Sequence, residues 1–292
     1  MPNFKPEECI ERHLVPELSN AIRLQEYGHK IFESIPTKSA LKKSIKKGLI
    51  ALDGHPAKTS DWIKPGQVLE VYAEQIIHEK KVFKLKLDVL YEDDYLAVIN
   101  KPSGYPTNGN YFKTIEQAMP YNLSESLQKD KLPWPKPVHR LDNPTSGLLL
   151  IAKTNTMKSS LSILFENQGV VKSYIAIVEG VLEPKKGVIS ETIQDKESST
   201  AYEVSQSFEI DQHSFSLVNL HPNTGSTHQL RIHLSQQGCP IVGDADYGAK
   251  FESKTLYLHA SSLSFPHPKT KKTLNFTTDM PHKFVKFRDR IQ

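Results

Sequence analysis

The sequence predicts an α+β protein, with a mixed, largely antiparallel central sheet and flanking helices over residues 79–292 and a small α/β module over residues 1–78. Three observations predict it. From Leu87 onward, short β-like runs alternate with turn residues. Only two segments of that region combine a helical period with clear stops. The first 78 residues hold one basic amphipathic helix and short strands around an Asp-Gly turn.

In the module, Thr37 caps a helix running to Lys47, with Leu41 and Ile45 on its inner face and Gly48 as its stop. Lys42, Lys43, Lys46 and Lys47 line its outer side. Leu49 to Leu52 is a short strand, Asp53-Gly54 a hairpin turn, and Lys64-Pro65-Gly66 a turn into a strand from Val68 to Tyr72. A polar, lysine-bearing stretch from about Glu74 to Lys86 links the module to the rest. Strands then follow at Tyr95–Ile99, Gly147–Ala152, Val170–Val178 and Phe215–Leu220. One helix runs from about Asn155 to Gln168, with Met157, Leu161, Leu164 and Phe165 at helical spacing and Gly169 as stop. Another runs from about Thr227 to Gln237, with Leu230 and Leu234 turned inward and Gly238 as stop.

Composition bounds the function. At 38% hydrophobic residues the chain can build a core, and no window approaches the roughly 18 apolar residues of a membrane span. Met1 to Asn20 carries four glutamates and no apolar run, which argues against a secretory signal. Cys9 and Cys239 make neither a disulfide framework nor a four-cysteine zinc site, and read as reduced thiols of a cytoplasmic protein. None of the 12 histidines sits in an HExxH or cysteine-paired pattern, so no metal is expected. The net charge of +4 is uneven. Seven lysines lie between Pro36 and Gly66, and five lysines with two arginines between Lys269 and Arg290. Such segments suit a polyanion, or are solvated surface.

Three polar clusters carry candidate chemistry. His139-Arg140-Leu141-Asp142 precedes a turn and an apolar strand. Locally it also reads as a turn stapled by an arginine–carboxylate pair, with Asp142 capping nearby N–H groups. Pro222 to Arg231 reads as a loop entering a helix, with Arg231 about one turn inside, or as a capped helix bearing a surface arginine. Lys172 and Tyr174 share one face of a strand.

Together these residues resemble the RluA-type RNA pseudouridine synthases. His139 to Gly147 matches the family's HRLDxxTSG signature. Tyr91 to Gly104, Lys172 to Ala176, Thr224 to Arg231, Gly243-Asp244 with Tyr247-Gly248, Leu258-His259-Ala260 and Phe265 to Pro268 follow the family's order. The basic helix, Gly48, Asp53-Gly54 and Ile63 to Leu69 likewise resemble the S-four-type RNA-binding module. Where the family usually has arginine between the glycine and threonine of the second cluster, this chain has Ser226.

The resemblance implies isomerisation of uridine to pseudouridine in ribosomal or transfer RNA, ribosomal favoured, with no cofactor and no obligate protein partner inferred. Asp142 would be the carboxylate beside the electron-poor ribose C1′, either attacking it or removing a ribose proton, and both roles require it ionised. Arg231 would keep it charged and fix its geometry. Arg140 would help hold the flipped-out nucleotide, and Tyr174 would stack on the uracil, worth about 1–3 kcal/mol. His139 and Lys172 complete the substrate contacts, and Lys42, Lys43, Lys46 and Lys47 would supply salt-sensitive affinity for the RNA backbone. Two alternatives remain in view. One is a non-catalytic RNA-binding relative, suggested by Ser226. The other is a base-releasing glycosidase, which needs a second carboxylate that the signature lacks.

Overall fold

A computed structural model describes residues 9–35, 37–72 and 82–290, and the chain divides into two compact units, 1–79 and 80–292. Much of the expected linker falls on residues 73–81, outside the described residues. Among the described residues no helix is long and apolar enough to cross a membrane.

The first unit contains β1 (Cys9–Leu14), β2 (Ile22–Arg23), α1 (Leu24–Tyr27), α2 (Lys38–Lys46), β3 (Ile50–Leu52), β4 (His55–Pro56), β5 (Trp62–Ile63) and β6 (Val68–Tyr72). An antiparallel sheet runs in the order β1-β6-β3-β4. The Thr37 side chain accepts the Ala40 N–H at 3.1 Å and starts α2. Leu41 buries completely against Leu24, Ile50 and Leu69, while Lys42, Lys43, Lys46 and Lys47 are exposed. Asp53 and Gly54 both have positive φ, as a tight hairpin turn requires. The Asp53 carboxylate accepts from Gln67 and from the Val68 N–H, which ties the turn to β6. β1 is not legible in the sequence, because its exposed Cys-Ile-Glu-Arg-His-Leu run lacks apolar alternation.

The second unit contains β7 (Asp88–Glu92), β8 (Leu96–Lys101), α3 (Ile115–Asn122), β9 (Lys131–Pro137), β10 (Ser146–Thr154), α4 (Asn155–Glu166), β11 (Val171–Glu179), β12 (Lys186–Ile193), β13 (Lys196–Ile210), β14 (His213–Pro222), α5 (Gln229–Gln236), β15 (Leu258–Pro266), β16 (Thr273–Thr277) and α6 (His282–Arg288). Its sheet runs β12-β13-β14-β11-β15-β10-β8-β7, with β9 on β10 and β16 on β15. Among the described residues the pairing of β10 with β15 is parallel and the other pairings are antiparallel, so the sheet is mixed and largely antiparallel.

All nine residues of β10 are buried, because it is central and covered on both faces. Leu149 and Ile151 pack with Ile115, Ala118 and Met119 of α3, while Leu148, Leu150 and Ala152 pack with Met157 and Leu161 of α4. A third cluster, including Val218, Leu234, Phe284 and Phe287, lies among β11, β14, α5 and α6. Two helices of this unit are not legible in the sequence. α3 is short and has Pro120 inside it. α6 lies in the basic C-terminal segment, where Phe284 and Phe287 are buried and Lys283 donates to the Leu256 carbonyl at 3.2 Å. That segment is therefore partly docked on the core rather than a free basic face.

Candidate functional site

The parallel pair at the centre of the sheet fixes where the signature loop begins. Ser146 and Gly147 open β10 opposite His259 and Ala260 of β15. Gly147 has φ +119°, and a Cβ there would lie 2.3 Å from the Ala260 carbonyl oxygen. Only glycine permits that approach. Ser146 Oγ bonds His259 Nδ1 at 2.9 Å, and the other ring nitrogen bonds Thr278 Oγ1 at 2.7 Å. Burial holds the His259 ring down to about 4, so it is neutral.

The loop before β10 is braced from below. Lys101, fully buried at the end of β8, donates Nζ to the carbonyls of Thr145 (2.7 Å), Pro102 (3.1 Å) and Asn143 (3.2 Å). Burial pushes its ammonium down to about 8, against the attraction of Asp142. Thr107 Oγ1 donates to the Leu141 carbonyl at 2.8 Å and accepts its N–H at 3.1 Å. The local picture of an arginine-stapled turn is therefore wrong. Arg140 is exposed, and the brace comes from a lysine and a threonine of an earlier segment. Nothing local in the sequence assigns either of them this role, although Lys101 lies within the Tyr91–Gly104 match.

His139, Arg140, Asp142, Lys172, Tyr174 and Arg231 all line one cleft of about 710 Å³. The Asp142 side chain keeps 18% of its surface exposed. Its Oδ2 lies 3.7 Å from Arg231 Nη1 and its Oδ1 lies 3.6 Å from His228 Nε2. Both distances exceed a hydrogen bond. The carboxylate is thus flanked by bases yet free to meet a ligand.

Arg231 is not a surface arginine on a capped helix. It is buried, and its guanidinium is gripped by Asp244 through Nε–Oδ2 (2.7 Å) and Nη2–Oδ1 (2.6 Å). Nη2 also reaches Asp246 at 2.9 Å, and the ring of Tyr247 lies under the guanidinium at 4.7 Å. Burial works against its charge, but Asp244 and Asp246 outweigh it and hold the pKa above the ordinary value. Its tight partner is Asp244, and Asp142 is the looser one.

The other lining residues serve varied ends. Tyr174 is pushed up to about 12 by burial and by the charge of Asp142, so its phenol is protonated. Lys172 is lowered by burial, and its Nζ makes a long 3.5 Å contact to the Thr224 carbonyl. The His139 ring stacks obliquely on Phe165 at 4.8 Å, and its Nε2 accepts the Leu150 N–H at 3.0 Å. Burial holds that ring down to about 3, and the charge of Lys172 adds to the effect. The loop into α5 is held by Gln229, whose amide oxygen accepts from Thr224 Oγ1 (2.7 Å) and from the Ser226 N–H (3.0 Å). Ser226 Oγ bonds Ser198 Oγ at 2.8 Å, which links this loop to β13. Lys42, Lys43 and Lys46 lie in the other unit, on α2, with Lys47 at its C-cap.

Sequence reasoning gave no role to His228, Asp244, Asp246 or Tyr247. The signal lay in the matched Thr224–Arg231 and Gly243–Gly248 segments, but nothing local says that a tyrosine and two aspartates close around an arginine.

A family model described as RNA pseudouridylate synthase matches residues 95–236. Ribosomal large subunit pseudouridine synthase D of Pseudomonas aeruginosa is 30% identical, covering 90% of this chain and 90% of that protein. The tRNA pseudouridine synthase C of Haemophilus influenzae is 30% identical, covering 70% of this chain and 98% of that protein. The solved structure of human RNA pseudouridylate synthase domain containing 4 is 29% identical with a TM-score of 0.57, covering 70% of this chain and 92% of that one.

Proposed function

Because the chain belongs to the RNA pseudouridylate synthase family, we propose that its cleft takes up one uridine flipped from structured RNA and that Asp142 acts on the ribose C1′. The chain is an RNA pseudouridine synthase, an isomerase. The reaction breaks the bond from C1′ to N1, turns the base and joins C1′ to C5. One proton leaves C5 and one is gained at N1, so no redox partner is needed.

The observation that carries the proposal is the Asp142 carboxylate, open to the cleft and without a hydrogen bond among the described residues, with Arg231 beside it. Arg231 faces it with a charge that cannot be titrated away near neutral pH. Asp142 either bonds to C1′ or removes a ribose proton, and in both roles the electron-poor sugar is balanced by its negative charge. Tyr174, a protonated phenol, packs on the uracil. Arg140, exposed at the mouth, holds the strand from which the base has left. Lys172 meets a polar edge of the nucleotide, and His139 supports the loop from behind.

The proposed target is ribosomal RNA in the cytoplasm. Relatives named for the large ribosomal subunit align over as much as 95% of the chain, and a relative named for tRNA over 70%. The first unit, through its exposed lysines on and just after α2, serves as an S-four-type RNA-binding module. Mapping pseudouridines in total RNA with and without the protein tests the target. Sites in large ribosomal RNA are expected, and sites in transfer RNA alone would refute the ribosomal assignment. For the mechanism, Asp142→Asn should abolish turnover while RNA binding survives. Pseudouridine formation at the wild-type rate by that variant would discard the role of Asp142.

A further inference from the structure

We propose that Tyr247 is a positioning residue for the reaction, holding in place both of the basic groups that flank Asp142. The inference rests on Asp142 being the catalytic carboxylate. Tyr247 ends a one-turn helix, Ala245–Tyr247, and is not among the residues lining the cleft. Its hydroxyl lies 2.8 Å from His228 Nδ1, and its ring carries the Arg231 guanidinium at 4.7 Å. The His228 and Tyr247 rings meet edge-on, at 90° and 5.7 Å. One side chain thus touches the groups facing the two oxygens of Asp142, His228 toward Oδ1 and Arg231 toward Oδ2.

The two contacts do different work. Arg231 is already gripped by Asp244, so the ring of Tyr247 closes one face of a guanidinium whose direction is set. His228 has no such second partner among the described residues. Its backbone is left-handed, with φ 56° and ψ 20°, and its side chain does not cap α5. With a carboxylate oxygen 3.6 Å from Nε2, the favoured neutral tautomer carries its proton there, N–H toward Asp142. Nδ1 is then the acceptor, and the Tyr247 hydroxyl is its donor. Burial raises the Tyr247 hydroxyl and keeps that donor protonated. The hydroxyl therefore sets both the direction and the tautomer of His228. Because His228 and Arg231 stop short of hydrogen bonds, Asp142 stays aimed between two donors without being consumed by either.

The test compares Tyr247→Phe, Tyr247→Leu, His228→Gln and the Tyr247→Phe/His228→Gln double variant on the full chain. The readouts are kcat, KM for RNA, thermal midpoint and the ring-nitrogen NMR signals of ¹⁵N-labelled histidine. Tyr247→Phe keeps the ring and loses the hydroxyl. Its kcat is expected to fall about tenfold, with KM within about twofold, the value of one hydrogen bond. The His228 signals should move from the Nε2–H form toward a mixture of tautomers. Tyr247→Leu should fall further, and the double variant should resemble His228→Gln alone. A wild-type kcat, an unmoved tautomer, a loss confined to KM, or independent effects in the double variant would each overturn the proposal. Asp142→Asn, measured in parallel, reports on the underlying catalytic assignment separately.

Discussion

Replacing Gly147 by alanine tests how the sheet positions the catalytic loop. A methyl at that position would lie 2.3 Å from the Ala260 carbonyl oxygen, 2.5 Å from its nitrogen and 2.7 Å from its Cα. Carbon contacts relax near about 3.5 Å, so β10 and β15 must separate by about 1 Å. All three obstructing atoms are backbone, so no side chain can swing aside. A φ of +119° adds roughly 1–3 kcal/mol for any residue with a Cβ. Opening the pair also weakens the contacts at Ser146–His259 and Gly147–Ala260, at about 1 kcal/mol per hydrogen bond. The total is roughly 3–5 kcal/mol, set against about 5–15 kcal/mol for a whole domain. Displacing Asp142 by about that 1 Å should lower kcat by about 100-fold. Urea unfolding followed by Trp134 fluorescence in a Trp62→Phe background isolates the second unit, since Trp62 lies in the first. Gly225→Ala is the control, because a methyl there meets nothing within 4 Å, and it should change stability by less than about 1 kcal/mol. A Gly147→Ala protein that unfolds at the wild-type urea midpoint with full turnover would refute the reasoning.

Other consequences are open to measurement. Asp244→Asn leaves the buried Arg231 charge with the exposed Asp246 and the distant Asp142, so a loss of about 3–5 kcal/mol in urea unfolding and a fall in kcat are expected. A loss below about 1 kcal/mol would show that the grip is unimportant. His259 is held neutral down to about 4 by burial, so the unfolded chain takes up that proton first. The corresponding stability is full above pH 6.5 and is lost as pH falls toward 4, by about 3 kcal/mol. His259→Asn should therefore show a shallower loss over that window, and identical slopes would count against a neutral buried ring. Changing Lys42, Lys43, Lys46 and Lys47 together to glutamine should reduce the slope of log affinity against log salt by about 2 to 4. An unchanged slope would remove α2 from RNA binding.

The elements the sequence made legible are those whose signals are local. Thr37 and Gly48 bracket α2, Asp53-Gly54 forces a hairpin turn, and the apolar run after Gly147 becomes the central strand, because each depends on neighbours within a few residues. The nine-residue signature was legible for the same reason, since its residues are consecutive. Tertiary structure decided the rest. β1 is polar and exists because β6 offers it an edge, and α3 forms around Pro120 because Ile115, Ala118 and Met119 have a sheet face to cover. Lys101 is a surface residue by composition, and it is buried because two carbonyls of the signature turn, of Asn143 and Thr145, converge on its ammonium together with that of Pro102. The setting of Asp142 depends on Arg231, His228 and Tyr247, brought from far along the chain. Hydrogen bonds and ion pairs act through space over a few ångströms, so their partners are set by the packing of the sheet and not by spacing in the sequence.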